Sequence, residues 1–191
     1  IIDKKDNWYK AYLSHDKYEG WIHEMYLDIG NKNNRNLIDD TYYIQRFSKT
    51  PILNEAFKLL GKPYLWGGRS FQGYDCSGLV QSCSALVGYK IPRDAKDQIK
   101  SNLLLEVEIK NVYSGDLLFF EEDNFVNHVA IVISSFKRAN KDLKYSGEIV
   151  HSSGTVKISN VVFDSQLYAV VDNNHEKKIK LHKIMRFKSN E

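Results

Sequence analysis

Hydrophobic periodicity changes once along this chain, and that change restricts the fold more than any other feature. Between positions 50 and 102 the apolar residues recur at helical spacing; from 116 onward they sit in short runs of strand type. Thr50-Pro51 makes a helix start, a capping residue with proline at the first helical position. Ile52, Leu53, Ala56, Phe57 and Leu60 fall on one face, and Gly61 supplies the stop. A glycine-rich loop, 64–75, leads to a second helical pattern over 76–87. Leu79, Val80, Cys83, Leu86 and Val87 are its apolar positions, and Gly88 ends it. A shorter helical piece begins at Pro92 and runs to about Asn102. Strands are expected at 116–120, 128–133, 148–151, 155–158 and 180–187. Helices first and antiparallel strands afterwards specify an α+β domain rather than a doubly wound one.

The first 29 positions read separately. The aromatic run 8–13 and the segment Tyr18-Glu19-Gly20-Trp21-Ile22 look like two strands, too few to bury a core without help. The polar stretch from Gly30 to Asn36 opens a linker that extends to 49, so the expected organisation is 1–29, linker 30–49, and a main domain at 50–191. The chain opens at Ile1 with no basic-then-apolar leader, from which upstream trimming is expected.

Composition narrows the class. The 191 residues are 42% hydrophobic and 27% charged, which is ordinary for a globular chain. A net charge of +3 is too mild to argue for nucleic acid, and no apolar run approaches the ~20 residues that span a bilayer. The basic run of Lys177, Lys178, Lys180, Lys183, Arg186 and Lys188 reads as a solvated strand edge, with weak attraction to an anionic polymer as the sharper idea. No closely spaced cysteine pair and no His-Glu-x-x-His occurs, so neither a structural nor a catalytic zinc is expected. Cys76 and Cys83 are seven positions apart on one expected helix, about 10 Å along the axis. A disulfide spans at most ~7 Å, so they should not be bridged to each other. Cys83 lies on the apolar face and reads as a core residue.

Cys76 opens its helix, directly after the glycine-rich loop. There the helix dipole and unpaired N–H groups favour thiolate, the form that attacks a carbonyl carbon, and the same groups can hold the oxyanion that results. The competing reading is a buried cysteine that packs the helix start. A cysteine nucleophile needs a base and an orienting partner. Of six histidines, His15, His23, His175 and His182 read as solvated. His128 begins an apolar strand and His151 ends one, so both can meet at one sheet edge.

Four blocks, Pro63-Tyr64-Leu65-Trp66-Gly67-Gly68, Asp75-Cys76-Ser77-Gly78-Leu79-Val80, Gly115-Asp116-Leu117-Leu118-Phe119-Phe120 and His128-Val129-Ala130-Ile131, closely resemble the NlpC-type bacterial cell-wall cysteine peptidases in type and order. The resemblance implies a papain-like fold, a helix-start nucleophile packed on a small antiparallel sheet. It implies Cys76 as nucleophile, His128 as base and His151 as orienting residue, with no cofactor. Tyr64 matches a tyrosine beside the nucleophile. Asp75 and Ser77 match positions that hold a free peptide amino end, although Asp75 equally suits a helix cap. Trp66 lines the groove or fills the loop, and Arg93 reads as an ordinary surface residue, with contact to a substrate carboxylate as the sharper idea. The chain departs from the family at 134–147, a charged excursion. If it shifts the strand register, His151 turns away and a Cys76–His128 dyad aided by water remains. Trp8-Tyr9-Lys10 with the 18–22 segment is similar to the closing half of a bacterial Src-homology-3-like β-barrel.

The implied activity is hydrolysis of γ-D-glutamyl–diamino-acid bonds in peptidoglycan or released muropeptides, through a thioester. The alternatives are an amidase or acyltransferase using the same Cys/His site, or a catalytically inert wall-binding protein. The implied location is the cell envelope or exterior, with a cytoplasmic recycling enzyme as the alternative; oligomeric state is open.

Overall fold

The computed structural model describes residues 2–12, 18–23, 50–139, 144–172 and 178–188. The chain divides into two compact units, Ile1–Arg46 and Phe47–Glu191. The linker expected at 30–49 and the residues His15, His175 and Lys177 lie outside the described residues.

In the first unit, strands β1 (Asp3–Lys5), β2 (Trp8–Tyr12) and β3 (Glu19–His23) form an antiparallel sheet in that order. Two of these strands were expected from their aromatic runs. The third, β1, is all polar and folds back through Asp6, which adopts a left-handed φ of 51°. Lys10 and Glu19 pair across the sheet at 3.0 Å, and the Trp8 ring meets the His23 ring edge-on at 5.1 Å.

The second unit begins with helix α1 (Pro51–Lys58), where Pro51 takes the first helical position. Thr50 stands at the N-cap, but its hydroxyl bonds the Ser114 hydroxyl at 2.9 Å instead of a helix amide. A small ribbon, β4 (Arg69–Ser70) with β5 (Gly73–Tyr74), precedes helix α2 (Cys76–Leu86). Helix α3 (Ala95–Gln98) is only one turn and starts after Asp94, later than Pro92 suggests. The remaining elements are β6 (Leu104–Glu106), a 3-10 turn at Ile109–Asn111, β7 (Leu117–Glu122), β8 (Phe125–Val132), β9 (Lys137–Ala139), β10 (Lys144–Ser153), β11 (Thr155–Phe163), β12 (Tyr168–Val171) and β13 (Lys178–Phe187).

Among the described residues these eight strands make one antiparallel sheet, ordered β11-β12-β13-β7-β8-β10-β9, with β6 on β13. Strand β11 also pairs with β10, which closes six strands into a barrel. Alternation along the strands then yields two cores. Leu118, Phe120, Ala130, Val132, Ile149, Val161 and Phe163 fill the barrel. Leu117, Phe119, Val129, Ile131 and Val150 face outward and pack with Ile52, Leu53, Ala56, Leu79, Val80 and Cys83 of α1 and α2. Residues Leu117 to Phe120 are all fully buried, because each face of β7 meets a core. At about 1.5–3 kcal/mol per large apolar side chain, this strand anchors both layers.

The 134–147 excursion is a hairpin. Strand β9 pairs with residues Lys144 to Ser146 of β10, and its tip lies outside the described residues. Because the extra length is taken up before β10 reaches β8, Ile149 still pairs with Val132 and Val150 with Ile131. The feared register shift does not occur.

The basic run on β13 is largely neutralised. Lys178 meets Asp164, Lys180 and His182 meet Glu121, Lys183 meets Glu106, and Arg186 grips Asp116. Among the described residues, no helix is long and apolar enough to cross a membrane.

Candidate active site

The segment 61–75 is held on the barrel by backbone bonds. Gly61 N–H donates to Val156 O, Val156 N–H to Lys62 O, and Tyr64 N–H to Gly154 O, so the loop is stitched to the β10–β11 turn. The Ser152 hydroxyl, fully buried on β10, donates to Tyr74 O at 2.6 Å. The loop then folds over the first turn of α2. A Cβ on Gly78 would lie 2.1 Å from Gly68 O, so only glycine permits this approach.

Asp75 joins loop to helix. One carboxylate oxygen accepts from Gly78 N–H at 2.6 Å and from Arg93 Nη1 at 2.9 Å. The other accepts from Arg93 Nη2 at 2.6 Å and Gly67 N–H at 2.8 Å. Both residues are 7% exposed. Asp75 is thus a helix cap whose charge is met by a bidentate guanidinium, a pairing stronger than a neutral hydrogen bond. Arg93 also donates to the Ser77 hydroxyl at 2.9 Å. The surface role expected for Arg93 is therefore wrong: isolated arginines on loops are usually solvated, and only the fold brings this one under α2. Gln98 was also not anticipated. Fully buried, it donates to Ser77 O at 2.9 Å and Pro92 O at 3.0 Å, tying α3 to the helix start.

Cys76 is the first residue of α2 and is 7% exposed. Its thiol donates to Asn127 O at 3.8 Å, on the strand residue just before His128. Burial pushes the thiol above its ordinary pKa, with the nearby Asp75 charge adding to this; hydrogen bonds from the Val129, Ser77 and Cys76 amides work the other way without prevailing. The sequence-based expectation of a thiolate favoured by the helix N-terminus is corrected here: desolvation of the charged form outweighs the amides. Cys83 is fully buried, its thiol pushed up to about 12 by burial, and the two cysteines are not bridged.

His128 sits opposite Phe120 in the β7–β8 ladder, with the ring centroids 5.9 Å apart. His128 Nε2 and His151 Nδ1 are 2.9 Å apart and the rings are edge-on at 78°. His151 is 4% exposed, and its other nitrogen, Nε2, lies 3.0 Å from the Ser159 hydroxyl. Burial lowers the His151 pKa to about 4, reinforced by Lys157 and opposed by Asp172, so this imidazole is neutral at pH 7.

The structure therefore brings Cys76, the His128 strand and His151 together. Tyr64 is half-buried; burial raises its hydroxyl pKa, with the nearby Cys76 and Asp75 adding to this and Arg93 opposing it. Trp66 is 87% exposed. Of the histidines read as solvated, His182 bonds Glu121 at 2.5 Å and His23 packs on Trp8. Among the described residues, no group of three or more His, Cys, Asp and Glu side chains is arranged to hold a metal ion.

A helix-start thiol beside a hydrogen-bonded histidine pair, on the wall of an antiparallel barrel, is a constellation suited to nucleophilic cysteine chemistry. This chain belongs to the NlpC/P60 family, whose model matches residues 61–176. It is 33% identical over 135 residues to a gamma-D-glutamyl-L-lysine dipeptidyl-peptidase of Bacillus subtilis (strain 168), covering 66% of this chain and 41% of that protein. It is 34% identical over 98 residues to the murein DD-endopeptidase MepH of Escherichia coli (strain K12), covering 49% of this chain and 36% of that one. A crystal structure of an NlpC/P60 family protein from Bacillus cereus ATCC 10987 superposes with a TM-score of 0.51 and 26% identity, over 71% of this chain and 39% of that one. The chain thus spans less than half the length of these relatives.

Proposed function

We propose that this chain is a cysteine endopeptidase with a papain-like catalytic domain. It hydrolyses γ-D-glutamyl–diamino-acid bonds of peptidoglycan stem peptides at the cell envelope or outside the cell. The carrying observation is the contact of the Cys76 thiol with Asn127 O, one residue from a His128 that is 2.9 Å from His151. The relatives named as peptidoglycan peptidases supply the substrate class.

In this mechanism the resting thiol is neutral. As the substrate carbonyl reaches Cys76, His128 takes the thiol proton and sulfur bonds to the carbonyl carbon. The amides around the sulfur, those of Cys76, Ser77 and Val129, are candidates for holding the oxyanion. Collapse breaks the C–N bond, His128 protonates the departing amine, and a thioester remains. Water, deprotonated by His128, hydrolyses the thioester and restores the thiol. His151 holds the imidazole of His128 in place throughout.

Tyr64, Ser77 and Asp75 are proposed to bind a free peptide amino end. Asp75 already accepts four short bonds, so its share is the negative charge behind Ser77 rather than a vacant lone pair. Trp66 is proposed as an exposed aromatic wall for the peptide. The three strands of the first unit are proposed as part of an SH3-like wall-binding segment.

Mass spectrometry of digests of a free-amino L-Ala-γ-D-Glu–diamino-acid peptide, run beside intact sacculi, tests the bond. Cleavage after D-Glu is expected; cleavage only between D-residues of cross-linked stems would replace the proposed specificity.

A further inference from the structure

Behind the histidine pair lies a second set of polar groups that the chemistry above does not use. The residues alternating along β11 from Phe163 and Val161 point into the barrel, and Ser159 continues that row opposite Ile149 of β10. An apolar side chain would be ordinary there. Instead Ser159, 1% exposed, places its hydroxyl 3.0 Å from His151 Nε2 and donates to Asp172 Oδ2 at 2.8 Å. Asp172 follows β12 with a left-handed φ of 51°. That bend locks it to Asn160 twice: Asp172 N–H donates to Asn160 O at 2.9 Å, and Asn160 N–H donates to Asp172 Oδ1 at 3.0 Å. Lys157 adds an ion pair at 3.3 Å. Burial alone would raise this carboxyl; the bonds from Ser159, Lys157 and Asn160 outweigh it and keep the group below its ordinary value, hence ionised.

An ionised carboxylate can only accept, so the single Ser159 proton belongs to Asp172. Ser159 Oγ then accepts from His151, which must carry its proton on Nε2. That leaves His151 Nδ1 as an acceptor, and His128 must donate to it from Nε2. The lone pair of His128 is therefore on Nδ1. In the opposite tautomer, His151 Nδ1–H would donate to His128 Nε2, and His128 Nδ1 would already hold a proton. It could then accept none from a thiol.

We infer that Ser159 and Asp172 are positioning residues that set the tautomer of both histidines, making His128 Nδ1 the basic nitrogen. This rests on the proposed roles of Cys76 and His128, and it extends the hydrogen-bonded row from two histidines to a charged terminus just after β12. The direction of donation also matters in the transition state. When His128 becomes an imidazolium, every bond in the row already points its hydrogen toward Asp172, so no group has to reorient.

The test combines imidazole nitrogen NMR with kinetics on the whole chain. In the wild type at pH 7, His151 is expected to be protonated at Nε2 and bare at Nδ1, with His128 likewise protonated at Nε2. Ser159→Ala and Asp172→Asn are each expected to mix the tautomers. Each should also lower kcat on the peptide at least about tenfold with little change in KM, the usual size of such supporting effects. Ser159→Thr, which keeps the hydroxyl, is expected to hold the wild-type tautomer. Unchanged nitrogen spectra in both Ser159→Ala and Asp172→Asn would overturn the inference, as would a wild-type His151 protonated at Nδ1. If Cys76→Ala abolishes cleavage while both variants keep wild-type kcat, the peptidase stands and the positioning role falls. If the wild type cleaves nothing but shows the expected tautomers that mix in the variants, the positioning role stands and the peptidase falls.

Discussion

Burial decides the chemistry of individual residues here more than helix position does. Cys76 has the amides and dipole that would favour a thiolate, yet desolvation holds its thiol above the ordinary range. Alkylation of Cys76 by iodoacetamide is therefore expected to keep accelerating above pH 9, while Cys83, at about 12, stays unmodified in the native protein. A plateau below pH 8, mapped to Cys76 by peptide mass spectrometry, would show a preformed thiolate instead. His151 gives a stability signature. Its folded pKa of about 4 lies below the ordinary 6.5, so the unfolded chain binds the extra proton between those values. Stability from this group is complete above pH 6.5 and is lost as pH falls toward 4, by up to about 3 kcal/mol. Urea unfolding at pH 4.5 to 7 should show this slope in the wild type and a flatter one in His151→Gln; equal slopes would remove the explanation. Arg93 carries the other large effect. Arg93→Met leaves the Asp75 charge buried without its partner and is expected to cost about 3–5 kcal/mol in urea unfolding at pH 7.

The elements that present these residues were unevenly legible. The helix opened by Cys76 could be read directly, because Asp75 as a cap, the glycine-rich loop before it and a periodic apolar face all state one start. Strands β7 and β8 were found from their apolar runs; β7 runs on through Glu121 and Glu122, and β8 begins three residues earlier than expected, at Phe125. Strand β12 was missed because four residues, Tyr168 to Val171, give no alternation to detect. Nor could the sequence say how the 134–147 segment is absorbed: a hairpin that pairs with the start of β10 leaves the His151 end untouched, and only the pairing shows this. Arg93 was misread for the same reason, since its partner is 18 positions away in the chain, with helix α2 between them. Glycine 78 offers a test at this level. Gly→Ala inside a helix ordinarily stabilises by about 1 kcal/mol. Here the added carbon meets the Gly68 carbonyl, so Gly78→Ala is expected to lower the thermal midpoint and displace the loop from the helix start. A raised midpoint would show that the loop is not clamped there.

Barrel closure is the property of the whole domain that the sequence concealed. The strand inventory announced an antiparallel sheet, but only the β10–β11–β12 path closes it, bringing His128, His151, Ser159 and Asp172 to one end. Four sequence blocks sufficed for the family because they carry the thiol, the loop and the first histidine strand. The support behind them comes from Ser159 in the middle of β11 and Asp172 just after β12, single polar residues that form no motif and are 13 positions apart in the chain. For the domain acting as a peptidase, the most direct measurement is kcat/KM on the free-amino peptide for the wild type, Cys76→Ala and His128→Ala, with folding checked by unfolding curves. Loss of turnover in Cys76→Ala and a fall of at least about a hundredfold in His128→Ala are expected. Turnover that survives in folded Cys76→Ala would contradict a cysteine mechanism outright.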